Sequence, residues 1–408
     1  MSDQPNYSKR NLAIDMFRAL TMFTMIFVND FWKVHDVPHW LEHATRGEDF
    51  MGLADIVFPC FLFAVGLSIP YAIERRYAKG FSAESTLGHI LSRTLALLVM
   101  GAFISNSEAR LSPDVAYPIS VYWFLMTIGF IAIWNQYPKP TSDLQKKLFL
   151  IFKVIGVLIL LYLAFTFRNP RGGVFATQWG ILGAIGWAYL LCSVIYIFSR
   201  DRLKYLLPIW VILILICFMN TPLRPEFGGT AILDFPERNF YNGMLSILHI
   251  GNGALPAFTM GGIILSIVSV RYAEKSNKWK LRYASIAAIA FFISGILAHQ
   301  FWIVAKIGAT PPWIFYVITI SIVLYAFLSY LVSLDITNWF NLIKPAGTAT
   351  LTTYIVPYVF YGFADMTGIV LPDYLTHGFM GLVNCFCFAF IVIGVTWVME
   401  NLHIKLKI

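Results

Sequence analysis

Asn29-Asp-Phe-Trp-Lys-Val-His35-Asp-Val-Pro-His39-Trp-Leu-Glu-His43-Ala44 opens a segment that runs through Asp49 and closes on Ala54-Asp55-Ile-Val-Phe-Pro59. Three of the chain's eight histidines lie in it, with a density of charge unusual for a chain that is 13% charged. An apolar run precedes the segment and another follows it. Titratable side chains held between two membrane-length apolar runs are expensive to keep there, so the segment is the first candidate for a functional site. Its flanks decide the fold. If they cross a bilayer, the chain is a membrane protein and this segment is its first outer loop.

The composition supports that. The chain has 408 residues and is 58% hydrophobic, with a mean hydropathy of +0.68. A soluble domain carries roughly 25% charged residues. Apolar segments fall at 13–32, 51–73, 87–105, 117–135, 147–166, 178–198, 204–219, 250–270, 283–304, 312–333, 346–364 and 376–399. Runs of about 20 apolar residues match the bilayer core, which predicts an all-α polytopic membrane bundle of about 11–12 transmembrane helices. The short alternating segments of a β-barrel are absent. One domain is expected over 1–408.

The formal charge of +8 does not point to nucleic acid, because the basic residues fall in short loops between apolar runs. Arg75, Arg76 and Lys79 follow the second run, Lys146 and Lys147 the fourth, Arg200 and Lys204 the sixth, and Lys275 to Arg282 the eighth. Positive loops stay in the cytoplasm, which places both termini there, in a multi-pass protein of the inner or plasma membrane. The run after Lys9 and Arg10 carries Asp15 and Arg18 and lacks a small-residue cleavage pattern, so it reads as the first span. Cys60, Cys192, Cys217, Cys385 and Cys387 all fall in apolar runs and read as small buried hydrophobes. His35, His39, His43, His249, His299 and His377 then lie at or near outer ends.

Several groups in this layout can carry chemistry. Asp15 and Arg18 are three apart and pair on one helix face. In the outer loop, a short helix begun by Pro38 would put His39 and His43 on one face. Two histidines so spaced can bind zinc, but no third ligand stands out and no metal is expected. One neutral imidazole with an orienting carboxylate suffices for a general base or an acyl carrier. Glu42, Asp49 and Asp55 are the available carboxylates, and Asp55 also suits a cap on the next helix. His299, Trp302 and Lys306 are spaced three and four apart, which on a helix is one face. Lys306, in a loop with no other charge, invites a developing negative charge, although a snorkelling lysine is the ordinary alternative. Residues 220–249, rich in Pro and Gly, form either a lid over the outer face or a plain connector. GxxxxGK[ST], GxSxG and HExxH motifs are absent.

Asn11-Leu-Ala-Ile-Asp15-Met-Phe-Arg18, Phe27-Val-Asn29, His43-Ala44 and Ala54-Asp55-Ile-Val-Phe-Pro59-Cys-Phe-Leu-Phe-Ala-Val-Gly66-Leu-Ser68 together resemble the heparan-α-glucosaminide N-acetyltransferase family, its bacterial branch in particular. The likeness is specific over residues 11–75. It is weaker at Gln178-Trp179-Gly, Asn242-Gly243, Lys306 with Thr310-Pro-Pro-Trp, and Gly347 to Tyr354. It implies transfer of an acetyl group from cytoplasmic acetyl-CoA to an amino sugar across the membrane. It implies an active histidine before the Asp-Ile-Val-Phe-Pro motif. His43 matches because Ala44 follows it, and His39 is the alternative by its distance from Asn29, the match to the family's substrate-contacting Asn. Lys306 or Asn29 would stabilise the oxyanion. Arg18 with Asp15, and Arg75, Arg76 and Arg93, would face the CoA phosphates at the cytoplasmic rim. Trp40, Asp55, Asn242 and His299 are the remaining candidates for holding substrate. The family also implies a possible homodimer among membrane lipids. The chain departs from the family at Ala13, Ala19 and Trp179, and its loop from His43 to Asp55 is about two residues longer. These departures bear on the acceptor, for which a cell-envelope or scavenged amino sugar is the safer class. A secondary transporter with 12 spans is the competing reading, weakened by the absence of similarity between the two halves.

Overall fold

The computed structural model describes residue 7 and residues 10–108, 111–176, 179–234 and 239–408. Lys9, Gln178 and residues 235–238 of the 220–249 stretch lie outside these residues. Among the described residues the chain forms fourteen α-helices: α1 Leu12–Asn29, α2 Leu53–Ala78, α3 Ala83–Glu108, α4 Ile119–Trp134, α5 Asp143–Thr166, α6 Gly180–Ser199, α7 Leu203–Asn220, α8 Phe240–Ile247, α9 Ala254–Arg271, α10 Asn277–His299, α11 Pro311–Ser333, α12 Phe340–Thr348, α13 Thr350–Thr367 and α14 Gly378–Asn401.

Ten of these helices are long and apolar enough to cross a membrane. The expected segment 117–135 yields a shorter apolar helix, Ile119–Trp134. The expected segment 346–364 starts inside α12, which breaks at Ala349 before α13 begins. The expected segment 204–219 forms α7 with 18 residues. Side-chain placement explains why the pattern reads as membrane. Leu150, Ile151, Val154, Leu158, Leu161 and Phe165 on α5 are all exposed, as are Ile286, Ile289, Phe292, Ile293 and Leu297 on α10. Apolar faces of that extent belong against lipid, since in water they would drive association. The cysteines follow expectation except Cys387, which is exposed: α14 buries Cys385 and turns its second neighbour outward.

The chain divides into two compact units. One comprises residues 1–21, 38–94 and 185–341, the other residues 22–37, 95–184 and 342–408. In the first unit, α2 packs along α9, and α10 forms a hairpin with α11. The α2–α9 approach depends on missing side chains. A Cβ on Gly66 would lie 1.9 Å from the Thr259 carbonyl oxygen, and one on Gly262 would lie 2.1 Å from that of Phe63. Without a hydrophobic force between helices in lipid, such backbone proximity supplies the packing. Tyr7, Tyr196, Glu74, Asp201 and Arg200 tie the loop ends of this unit together, with Arg200 on Glu74 at 2.6 Å.

In the second unit, α4 packs on α5 and α13, and α13 on α14. The Asn106 carboxamide bridges α3 to the loop between α5 and α6, donating to Ala176 O at 2.7 Å and accepting from Ala176 N at 3.0 Å. His35 N–H donates to Thr376 O at 2.7 Å, and the His35 and His377 rings lie 4.8 Å apart.

Candidate active site

The loop from Pro38 to Gly52 is short of regular structure. Its one helical turn, His39–Leu41, is 3-10 and ends at Glu42 in extended backbone. The expected helix carrying His39 and His43 on one face does not form, because a three-residue turn cannot hold residues four apart in register. The two histidines take different partners. His39 Nε2 pairs with Glu48 at 2.7 Å, and its ring lies 4.2 Å from that of Phe50. His43 Nδ1 meets Asp55 Oδ1 at 2.7 Å.

Asp55 combines the two roles open to it. Its Oδ2 accepts from Gly52 N at 3.2 Å, closing the start of α2, and from Ala44 N at 2.9 Å. Its side chain is 1% exposed. The loop reaches this position only because Gly52 has no side chain: a Cβ there would lie 1.9 Å from the Glu42 carbonyl oxygen. Trp313 Nε1 donates to the Asp55 carbonyl at 3.1 Å and anchors α11 to the same point. A buried carboxylate is tolerated only when its lone pairs are taken, and here three donors take them.

Lys306 completes the cluster. Its Nζ lies 3.2 Å from His43 Nδ1 and 4.0 Å from Asp55 Oδ1. Burial pushes the Lys306 ammonium below its ordinary value, and the charge of Asp55 opposes that fall. An ionised Asp55 at 2.7 Å fixes the proton of His43 on Nδ1, which leaves the lone pair on Nε2. With that tautomer Nδ1 and the Lys306 ammonium are both donors, so no hydrogen bond joins them, and it is the Asp55 carboxylate at 4.0 Å that attracts Lys306. The His43 side chain is 51% exposed, and its Nε2 makes no hydrogen bond among the described residues.

A second cluster braces the loop. Asp49 Oδ1 accepts from Val304 N at 2.7 Å, His299 Nε2 lies 2.8 Å from the same oxygen, and Arg224 Nη2 donates to Oδ2 at 2.5 Å. Arg224 Nε also donates to His299 O at 3.0 Å. Burial works to raise the Asp49 carboxyl, but the Val304 N–H, His299 and Arg224 outweigh it and hold it below the ordinary carboxylate value. Arg224 comes from the Pro- and Gly-rich stretch after α7, so the first part of that stretch walls the site. Nothing in the sequence singled Arg224 out from other loop arginines.

The expected face of His299, Trp302 and Lys306 does not exist. α10 ends at His299, and residues 300–310 form a loop through Gly308 and Ala309, both at positive φ. Trp302 is buried and donates to Thr221 O at 3.0 Å. Trp40 is exposed in the 3-10 turn, and Asn242 lies in α8, where its N–H closes the Asn239 cap at 2.7 Å. Neither belongs to the His43 cluster. Asn29 ends α1 in the second unit and lines a cavity there.

Of the basic residues expected at a phosphate site, Arg18 pairs with Asp15 at 2.5 Å, and Arg10 pairs with the same carboxylate. Among the described residues Arg18 Nε and Arg93 Nε are buried without hydrogen-bond partners, and Arg93 lies 4.8 Å over the Tyr189 ring. Arg75 and Arg76 are occupied, Arg75 by Tyr7 O at 3.2 Å and Arg76 by Ser85 O at 3.2 Å. Among the described residues no three His, Cys, Asp or Glu side chains gather as a metal site.

Residues 10–117 match the family model described as heparan-alpha-glucosaminide N-acetyltransferase, catalytic. The chain is 26% identical over 188 residues to heparan-alpha-glucosaminide N-acetyltransferase of Mus musculus, covering 41% of this chain and 27% of the relative. It is 30% identical over 182 residues to the protein of that name from Homo sapiens, covering 40% and 26%. The alignments thus span about a quarter of the length of these curated relatives. The family-model match takes in His43, Asp55, Arg18 and Arg93, while Lys306, Arg224 and His299 lie beyond it.

Proposed function

We propose that this chain is a membrane-embedded N-acetyltransferase. It takes the acetyl group of acetyl-CoA from the cytoplasm and delivers it to the amine of a glucosamine-type sugar on the other side of the membrane, using His43. Both termini then face the cytoplasm, and residues 1–408 serve one activity. The observation that carries this reading is His43 Nδ1 on the buried Asp55 carboxylate at 2.7 Å, which leaves Nε2 as a base and nucleophile beside a lysine. The likeness to named glucosaminide acetyltransferases supplies the reaction class.

Two routes use the same Nε2. In direct transfer the sugar amine attacks the thioester carbonyl, Nε2 takes the amine proton, the C–S bond breaks and CoA leaves. In the carrier route Nε2 attacks the thioester, the C–S bond breaks and CoA leaves; the amine then attacks the acetyl-imidazole, the acetyl–Nε2 bond breaks, and the freed Nε2 takes the amine proton. Asp55 orients the ring in both and balances its positive charge. Lys306 supplies positive charge next to the ring as the oxyanion forms, and Asn29 is assigned to the acceptor. Arg18 and Arg93 bring unsatisfied donors, which suit the phosphates of CoA.

The test uses the protein purified in detergent with radiolabelled acetyl-CoA and glucosamine. Wild type should release CoA and form N-acetylglucosamine. His43→Ala should lower the rate by about 10²–10⁴, the contribution of a positioned base, and His39→Ala should retain most of it. Folded wild type that neither binds acetyl-CoA nor transfers acetyl would overturn the proposal. Transfer that survives in His43→Ala would shift the role to His39.

A further inference from the structure

The His43 cluster carries an amine of its own. Lys306 Nζ lies 3.2 Å from His43 Nδ1 and 4.0 Å from the Asp55 carboxylate, with its side chain 25% exposed. The backbone beneath it is pinned on both sides. Val304 N–H donates to Asp49 at 2.7 Å, and Phe50 N–H donates to Val304 O at 3.0 Å. Ala305 N–H donates to Thr310 Oγ1 at 3.0 Å, and Thr310 N–H returns to Ala305 O at 3.2 Å. Those two bonds close the loop around Lys306. The Asn252 carboxamide holds its far side, donating to Gly308 O at 3.0 Å and Ala309 O at 2.9 Å. The loop thus keeps the amine at the imidazole, and the freedom that remains is in the flexible lysine stem.

This position suits a neutral amine better than an exposed lysine does. With the Nδ1 proton of His43 on Asp55, an ammonium sets a second donor 3.2 Å from the first. A neutral amine offers a lone pair there instead, and the two donors no longer face each other. Burial works in the same direction, against the charge of Asp55. A lysine deprived of water in this way is a nucleophile. Nδ1 and Nε2 flank the same ring carbon, so a turn of the stem carries Nζ from one nitrogen towards the acetyl group handled by the other. Groups held in such reach act at effective concentrations of about 10⁵ M and more, provided the approach is aligned.

We propose that Lys306 is a site of self-acetylation: when no acceptor is present, its amine takes the acetyl group that His43 handles, and the site closes. The inference rests on the acetyl-transfer reading. The ammonium first loses one proton to water, and the neutral Nζ adds to the acetyl carbonyl carbon. In direct transfer the C–S bond breaks and CoA leaves. In the carrier route, CoA having left already, the acetyl–Nε2 bond breaks. Either way Nε2 takes one Nζ proton and an amide forms on Lys306. The amide has lost the positive charge that serves the oxyanion, and it does not pass its acyl group on to an amine. An acceptor amine seated at His43 forestalls the step, so the acceptor protects the enzyme that uses it.

The full-length protein in detergent is held with acetyl-CoA alone at mildly alkaline pH, then digested and read by peptide mass spectrometry over time. Lys146 and Lys147, exposed at the start of α5, report uncatalysed acetylation in the same sample. Lys306 should gain an acetyl group about tenfold or more faster than either. His43→Ala should slow Lys306 by about 10²–10⁴ and leave Lys146 and Lys147 as they were. In a preparation that acetylates glucosamine, saturating glucosamine should suppress the Lys306 product, an arm that needs wild type only. Transfer activity should fall in step with the acetylated fraction. Lys306 modified no faster than Lys146 and Lys147, modified equally while glucosamine is being acetylated, or fully acetylated without loss of activity would overturn the proposal. The two readings fail separately. Wild type that acetylates glucosamine and leaves Lys306 unmodified in its absence removes the self-acetylation and keeps the reaction. Lys306 acetylated through His43, with no transfer to glucosamine, keeps the self-acetylation and removes the amino-sugar acceptor.

Discussion

At the scale of the residue, the account turns on which nitrogen of His43 carries the proton. Asp55→Asn tests this, because the new amide can donate to Nδ1 and so stabilise the opposite tautomer. We expect kcat to fall by about 10²–10⁴, as far as removing the base itself, with KM for acetyl-CoA little changed. A rate within a few-fold of wild type would remove Asp55 from this role. Asp49 makes a prediction of a different kind. Its carboxyl is held below the ordinary 3.8, so as pH falls the unfolded chain takes up this proton first. The stability it contributes is complete above pH 3.8 and is lost as pH drops through the lower folded value. The difference in thermal midpoint between wild type and Asp49→Asn should therefore be constant above that pH and shrink below it. The sequence showed His43, Asp55 and Lys306 as candidates because each is a titratable group out of place beside apolar runs. It did not show that Arg224 and His299 meet on Asp49, 175 and 250 residues away in the chain. Nothing local marks such a pairing.

The elements carry the same lesson at longer range. Period and length were enough to find the long apolar helices, because apolar runs of membrane length have few other uses, but they did not mark the short α8 and α12 as helices of their own. Their ends were harder. The spacing of His299, Trp302 and Lys306 fitted a helical face, but α10 stops at His299 and Lys306 reaches His43 from a loop. His39 and His43 likewise fitted a helix that the chain gives up after one 3-10 turn. Helix termination there is set by tertiary hydrogen bonds, such as Phe50 N–H on Val304 O at 3.0 Å, which periodicity cannot anticipate. The contact of α2 with α9 gives a direct stability test. Gly66→Ala puts a Cβ where backbone already lies, and should cost about 1–3 kcal/mol as overpacking does. Gly88→Ala on α3 meets nothing within 4 Å, and should be neutral or slightly stabilising by helix propensity. Thermal midpoints in detergent compare the two, and an equal effect would contradict the packing described for Gly66.

For the whole molecule, the claim is that one chain joins a donor on one side of a membrane to an acceptor on the other. The sequence supports the direction through its basic loops and the reaction through its likeness to acetyltransferases over residues 10–117. A transporter would share the span count and move a solute unchanged. The chain is reconstituted in sealed vesicles, and molecules with their basic loops inward are selected by protease protection of a terminal tag. Labelled acetyl-CoA is then trapped inside and glucosamine added outside, with His43→Ala vesicles in parallel. The account predicts labelled N-acetylglucosamine outside, CoA retained inside, and neither product in the variant. Product formed only when both substrates share one side, or glucosamine that enters the vesicles unacetylated at the same rate with and without His43, would contradict it.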